Sequence, residues 1–357
     1  MLKSIKVLVI FIFILSLTLT MAACDNGSSV VDEIEDEPEV VEFEDSNLEA
    51  AVREEINKGE GNLLLEDVKN IEKLDASGRE IESVEGIQSL EKVEVFSLDE
   101  NNISDISALE DLDNLEWLSF YNNNVTDITA LENLNNLVML SFADNEVSSI
   151  EALENLTDIR RLWFQANEVI DISHLANLEN LEILFFSNNE VSDIGILENL
   201  TNVTGLSFHS NKVEDKDIEV LSNLNQLEYL NIGNNEINEI SPISGLNNLE
   251  ELWLQKNEVS DISALSNLNK LEKLYLDENE VSDISVLANL TNLESLWFYD
   301  NEVSDISPLV KNDGFGDGDE IRMQNNYLDL TEGSEDMDNI ITLRDDRNVD
   351  VKYKPQK

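Results

Sequence analysis

The sequence predicts an α/β solenoid in which short strands and helical turns stack by repetition. Three observations carry that prediction. An apolar skeleton returns every 22 residues over most of the chain, a strand-like alternation and an asparagine recur at fixed places within it, and non-repeating segments with helical spacing flank the array. With 357 residues and 41% hydrophobic content there is ample material for a core, so the acidity does not signal disorder. That acidity is extreme, 76 Asp+Glu against 22 Lys+Arg and a net charge of -54. Nucleic acid and anionic lipid headgroups are thereby poor partners, since both need a cationic face, and no nucleic-acid partner is expected.

Residues 1–23 read as a processing signal. Lys3 and Lys6 supply a positive start, Val7 to Leu19 an uncharged apolar run, and Ala22 and Ala23 a small-residue exit before Cys24. The apolar run is short for a span of roughly 20 residues. Met21-Ala22-Ala23-Cys24 resembles a bacterial lipobox, with Met where that motif usually has Leu. The resemblance implies that Cys24 is lipidated and that the protein is an extracytoplasmic, membrane-anchored lipoprotein at the cell surface. An ordinary secretory signal preceding a chance cysteine is the alternative. Cys24 is also the sole cysteine, which excludes an internal disulfide. From Cys24 to residue 42 the chain is acidic, lacks aromatics and contains Pro38, the composition of a solvated tether.

Residues 43–70 form the expected N-terminal cap, with Leu48, Ala51, Val52 and Ile56 at helical spacing and Gly59 and Gly61 as a stop. The repeats occupy 71–311. Units begin at Ile71, Val93, Leu115, Leu137, Ile159, Leu181 and Val203, then at Leu227, Leu249, Leu271 and Leu293, which makes eleven. The step from Val203 to Leu227 is 24 residues, so that unit carries a two-residue insertion. Within Leu115–Leu134 the order is L-x-x-L-x-x-x-x-N with Phe120 in the sixth place, the skeleton of a leucine-rich repeat. Leu118-Ser119-Phe120 alternates inward and outward like a strand. The asparagine column (Asn101, Asn123, Asn145, Asn167, Asn189, Asn211, Asn235, Asn257, Asn279, Asn301) falls at the following turn. An amide there can satisfy backbone groups that the bend would leave buried and unpaired. Arg79 replaces it in the first unit. Ser/Thr-Asp-Ile segments such as Ser104-Asp105-Ile106 then offer a cap for a short helical turn on the outer side. One such unit cannot bury its own apolar face, so neighbours must stack. Residues 312–357 hold a degenerate unit at Ile321–Leu328 and a C-terminal cap. Met337, Ile340 and Ile341 share a helical face, and Val349, Val351 and Tyr353 alternate like a last strand.

The 22-residue period, the N-x-[VI]-[ST]-D-I-[ST]-x-L block and the two caps resemble bacterial internalin-like leucine-rich-repeat surface proteins, over about Phe43 to Tyr353. The resemblance implies a right-handed horseshoe, with a parallel sheet on the concave side and 3₁₀ or short helical turns on the convex side. It implies as well that the concave sheet grips a partner, often a protein.

The third, fifth and seventh places of each unit point outward from the sheet. Trp117, Tyr121, Arg161, Trp163, Phe185, His209, Tyr229, Trp253, Tyr275, Trp297 and Tyr299 all fall there, and they are the candidate ligand-binding residues. Over a sheet about 50 Å long, at roughly 5 Å per strand, they would form an aromatic stripe of the kind that marks interfaces. Packing of aromatics across neighbouring strands is the alternative explanation. Phe120, Phe142, Phe164, Phe186, Phe208 and Phe298 take the inward sixth place and should be core. Arg161, Lys256 and Lys273 are the few cations of the face, and could meet local negative charge on a partner.

The place after the asparagine is acidic (Glu146, Glu168, Glu190, Glu236, Glu258, Glu280, Glu302), broken by Lys212. Like charges about 5 Å apart repel unless screened, which fits a salt-rich habitat or a plain solubility role. Asn312–Glu320 is rich in Gly and Asp but lacks the spacing of a calcium loop, so it is expected to turn into the cap. The insertion Glu214–Asp217 is expected to bulge on the convex side. His174 and His209 lie in different columns, and neither a nucleophile pairing nor a phosphate-cradling loop is present. The sequence therefore reads as a monomeric binding or adhesion module without catalysis, cofactor or metal. Its expected ligand is a protein, with a glycan-binding protein and an envelope spacer as the alternatives.

Overall fold

Every unit folds as its spacing demands. The strand places of successive units become short parallel strands, from β1 (Lys73–Asp75) to β13 (Asp350–Lys352), joined in strict sequence order into a sheet of 13. The register is in step throughout, so Leu118, Leu140 and Leu162 lie side by side. This is a leucine-rich-repeat solenoid, with its parallel sheet concave and the 3₁₀ turns, such as Ser107–Leu109 and Thr129–Leu131, convex. The structure is a computed structural model and describes residues 39–357. Cys24, the signal segment and the tether as far as residue 38 lie outside the described residues.

The core is one continuous column between sheet and convex turns, and each Leu, Ile and Val of the skeleton is buried in it. Phe120, Phe142, Phe164, Phe186 and Phe208 are fully buried, as their sixth place requires. They stack ring on ring at 5.6 to 5.8 Å, so each ring buries both faces against the neighbouring units.

The asparagine column performs the expected backbone service. Asn167 Nδ2 donates to the carbonyls of Phe142, Phe164 and Gln165, and its Oδ1 accepts the Val147 amide at 2.9 Å. One side chain thus stitches two units across the bend. The residue just before each asparagine is left-handed, including Asn122, Asp144, Ala166, Lys256 and Glu278 with φ of 52 to 56°. On the convex side the capping group is the aspartate. Asp105 Oδ1 accepts the Ser107 amide at 2.8 Å, and Asp127, Asp171, Asp193, Asp261, Asp283 and Asp305 repeat the bond.

The N-terminal cap is a helix, α1 (Ser46–Glu55), which buries Leu48, Ala51 and Val52, followed by the single turn α2 (Leu65–Val68). Asp45 caps α1 through the Asn47 and Leu48 amides and also accepts the Glu82 amide, tying the helix to the first unit. Packing begins before Phe43, since Val40 bridges Leu64 and Val41 is buried. At Gly86 (φ 102°) a Cβ would stand 2.5 Å from the Glu42 carbonyl oxygen, so a glycine is what lets Phe43 close down. At the far end lie α3 (Ser307–Lys311) and α4 (Glu335–Ile341). Asn312–Glu320 packs as a turn into this cap. Asn312 is fully buried, donating to the Leu287 and Leu290 carbonyls, and Phe315 is buried beside it. The insertion lengthens one convex turn to Ile218–Asn223, and Asp215 accepts the Asn238 and Glu239 amides of the next unit.

Candidate binding surface

Alternation in each three-residue strand sends the fourth and sixth places into the core and leaves the third, fifth and seventh on the concave face. Between Val95 and Tyr299 the charged residues in those outward columns are Asp99, Arg161, Glu251, Lys273 and Asp277. In a chain of net charge -54, only three acids stand in these columns and the rest lie elsewhere on the surface. The concave face is instead aromatic and small-polar.

The candidate residues fall into separate groups. Trp253, Tyr275 and Trp297 occupy the fifth place of adjacent strands and pack on each other, with centroids at 3.9 Å and, edge to face, 5.0 Å. Tyr275 is only 8% exposed as a result. Phe185 meets Tyr229 at 5.5 Å across the intervening Gly205, where a Cβ would come within 2.7 Å of Ile183 Cδ1. Trp117 and Tyr121 stay open, 41% and 38% exposed. Arg161 and Trp163 share the strand two units further on. His209 stands apart from these groups, and its buried Nδ1 finds no partner among the described residues. Burial pushes its imidazole below the ordinary histidine range, which favours the neutral form.

Local electrostatics divide the cations. Lys273 pairs with Glu251 at 2.8 Å and Lys256 with Glu278 at 3.7 Å. Both are neutralised within the face, which weakens the expectation that they meet charge on a partner. Arg322, on the degenerate unit, pairs with Glu320 and Asp350. Asp277 is buried, and burial lifts its carboxyl above the usual range while the Tyr299 hydroxyl hydrogen-bonds to it. Tyr299 is itself pushed well above the usual phenol range, by burial first and by the Asp277 carboxylate second. Sequence reasoning missed this pair, because Asp277 gives no pattern that separates it from the solvated acids around it.

Among the described residues no cluster of three or more His, Cys, Asp or Glu side chains could hold a metal ion. No described helix is long and apolar enough to cross a membrane.

Residues 71–344 match the family described as leucine-rich repeat region. Among solved structures, an internalin from Listeria monocytogenes is 31% identical with a TM-score of 0.82, covering 90% of this chain and 93% of its own. A leucine-rich-repeat protein of Leptospira interrogans shares the fold at 21% identity and TM-score 0.69, over 82% of this chain and 80% of its own. The plant peptide hormone receptor RGFR1, solved in complex with RGF2, shares it at 21% identity and TM-score 0.59, over 73% of this chain and 49% of its own. Curated proteins yield no match. The skeleton, the asparagine ladder, the capped solenoid and these similarities together place the chain in the leucine-rich repeat family, as an internalin-like member.

Proposed function

We propose that the protein is a cell-surface binding or adhesion module that recognises a protein through its concave face. The observation that carries the reading is the segregation of charge. Interface cores are depleted of charged residues and enriched in aromatics, and the outward columns between Val95 and Tyr299 share those two features, with serines between the rings, in a chain whose remaining surface is heavily acidic. A spacer has no use for such segregation. A protein ligand is favoured over a glycan because Trp253, Tyr275 and Trp297 pack at tilted and edge-on angles of 34° and 84°. Rings packed in this way leave no flat platform for a sugar. Protein and peptide ligands are also common among leucine-rich-repeat proteins, the plant receptor bound to RGF2 being one case.

The reading includes an anchor. Lipid on Cys24 would hold the protein to a membrane outside the cytoplasm, two or more acyl chains binding far more firmly than one. Growth with a labelled fatty acid tests it: the parent should carry label and Cys24→Ser should not. For binding, a soluble form starting at Asp25 is used to capture partners from envelope and host-surface extracts. Beside it runs a variant with Trp117, Trp163, Trp253 and Trp297 all changed to Ser. A protein held by the parent and lost by the variant is the expected outcome. Equal capture by both, or none by either, would contradict the proposal and direct attention to a glycan array.

A further inference from the structure

The register of the first units builds a trough in the concave face. Its floor is Ser97, Ser119 and Ser141, side by side in the fifth place of adjacent strands. Ser119 is only 5% exposed. One wall is Val95, Trp117 and Met139 in the third place. The other wall is set by Tyr121, four residues beyond Trp117, so the walls stand about 13 Å apart at roughly 3.3 Å per residue. Trp163 closes the trough, following Ser141 in the same column. The floor is anchored: Asp99 accepts the Tyr121 amide and the Ser119 hydroxyl, and Ser97 bonds Ser77 at 2.7 Å.

Arg161 stands at the end of the apolar wall, between Met139 and Ile183 in the third column. It is the single charge in the outward columns from Trp117 to Ser187. Unlike Lys256, Lys273 and Arg322, it makes no ion pair with a carboxylate among the described residues. Its sequence neighbour Arg160, by contrast, is paired with Glu182. A lone exposed guanidinium in a field of excess carboxylate, with the most exposed tryptophan of the face nearby, is a preformed anion contact beside an apolar one.

We propose that this trough takes an extended protein segment that presents a carboxylate side chain to Arg161 and a large apolar side chain to Trp117 and Met139. The inference rests on the concave-face reading and gives it a location and a partner chemistry. An extended segment fits this width, since neighbouring strands stand about 5 Å apart and sheets with their facing side chains pack about 10 Å apart. The carboxylate is selected locally. The net charge of the protein repels acidic segments everywhere else, so Arg161 is where one is accepted.

The test is a selection of random peptides displayed on phage against the immobilised protein, followed by affinity measurement of enriched peptides. The expected result is enrichment of peptides carrying Asp or Glu near a Trp, Phe or Leu. Their binding should weaken roughly 10-fold or more in Arg161→Gln, the scale of a lost charge-assisted contact, and also fall in Trp117→Ser. In Arg161→Glu the selection should turn to Lys- or Arg-bearing peptides. Absence of any enriched peptide, or enriched peptides indifferent to Arg161→Gln, would overturn the proposal. Peptides lost in a Trp253→Ser, Trp297→Ser variant but kept in Arg161→Gln would overturn the trough and leave the concave-face reading standing. Peptides indifferent to all of these substitutions would count against both.

Discussion

Removing one asparagine from the middle of the ladder has a computable consequence. Asn167→Ala deletes the acceptor of the Val147 amide, which is buried and has no other partner among the described residues, at a bond of 2.9 Å. It also deletes donors to the Phe142, Phe164 and Gln165 carbonyls. Those losses are unequal. The Phe142 and Phe164 carbonyls keep the amides of Asn145 and Asn189 as donors, at 3.1 and 3.0 Å, whereas the Val147 N–H is orphaned outright. An orphaned buried amide costs about 1–3 kcal/mol and the remaining bonds contribute about 1 kcal/mol net. The sum is about 2–4 kcal/mol. Denaturant unfolding followed by circular dichroism measures it, with Asn124→Ala as control, an exposed asparagine that follows the ladder position two units earlier. Asn167→Asp sharpens the result, because it keeps the acceptor for Val147 and turns a second carboxylate oxygen on the carbonyls. It should not recover the parent stability. An Asn167→Ala cost indistinguishable from that of Asn124→Ala would refute the view that side-chain amides hold the bends.

Three further outcomes follow from the same structure. Ala166 holds φ 52°, a left-handed conformation that an L residue disfavours and glycine accepts. Ala166→Gly should therefore stabilise by about 0.5–1 kcal/mol, and a destabilised variant by the same unfolding assay would contradict the strain argument. The Ser107 amide holds the Asp105 carboxyl below its usual range. A carboxyl whose folded pKa is depressed adds stability above its unfolded pKa of about 3.8 and loses it as pH falls through the folded value. The stability gap between parent and Asp105→Ala should thus be constant near neutrality and shrink below about pH 4, while a gap that widened in acid would be the wrong sign. Finally, the exposed glutamate column repels itself, relieved at Glu190 by Lys212 at 3.0 Å. Raising salt from low to molar, where the Debye length is about 3 Å, should raise the melting temperature, and more so in Lys212→Glu. No rise in either would remove the argument for a salt-rich habitat.

Much of this was legible in the residues. The spacing of Leu, Phe and Asn dictates which side chains stack, because a strand of alternating places and a fixed period leave one register that buries them all. Phe120 through Phe208 could be assigned inward on that ground alone. The caps were readable from the helical spacing of Leu48, Ala51 and Val52 and of Met337 and Ile340, although Ile341 stays exposed. Other features depend on side-chain geometry that periodicity does not encode. The left-handed bend before each asparagine is announced by Asn or Asp at Asn122, Asp144, Asn188, Asn234 and Asp300, but Ala166, Lys256 and Glu278 hold the same conformation with no such signal. The aspartate acts as the convex cap, since its carboxylate reaches two residues ahead where the preceding hydroxyl does not. The columns predict an aromatic stripe or packing of rings across neighbouring strands, and the rings fall into packed groups with Trp117 and Tyr121 left open. Gly205 lets Phe185 lean to Tyr229, whereas Trp117 has Met139, not a ring, in the next strand. Arg161 looked no different in sequence from Lys273 until the structure gave one of them a partner.

If the protein binds as proposed, the concave face, and no other, carries the contact. This is tested most directly by titrating one captured protein against three forms of this chain in a biosensor: the parent, the four-tryptophan variant, and a variant with Glu146, Glu168 and Glu190 changed to Gln on the acidic column. The tryptophan variant should lose at least roughly 10-fold in affinity, the scale of one interfacial anchor, while the glutamine variant stays within about twofold at molar salt, where long-range charge is screened. Full affinity in the tryptophan variant with loss in the glutamine variant would contradict the proposal and move the binding surface to the acidic side of the solenoid.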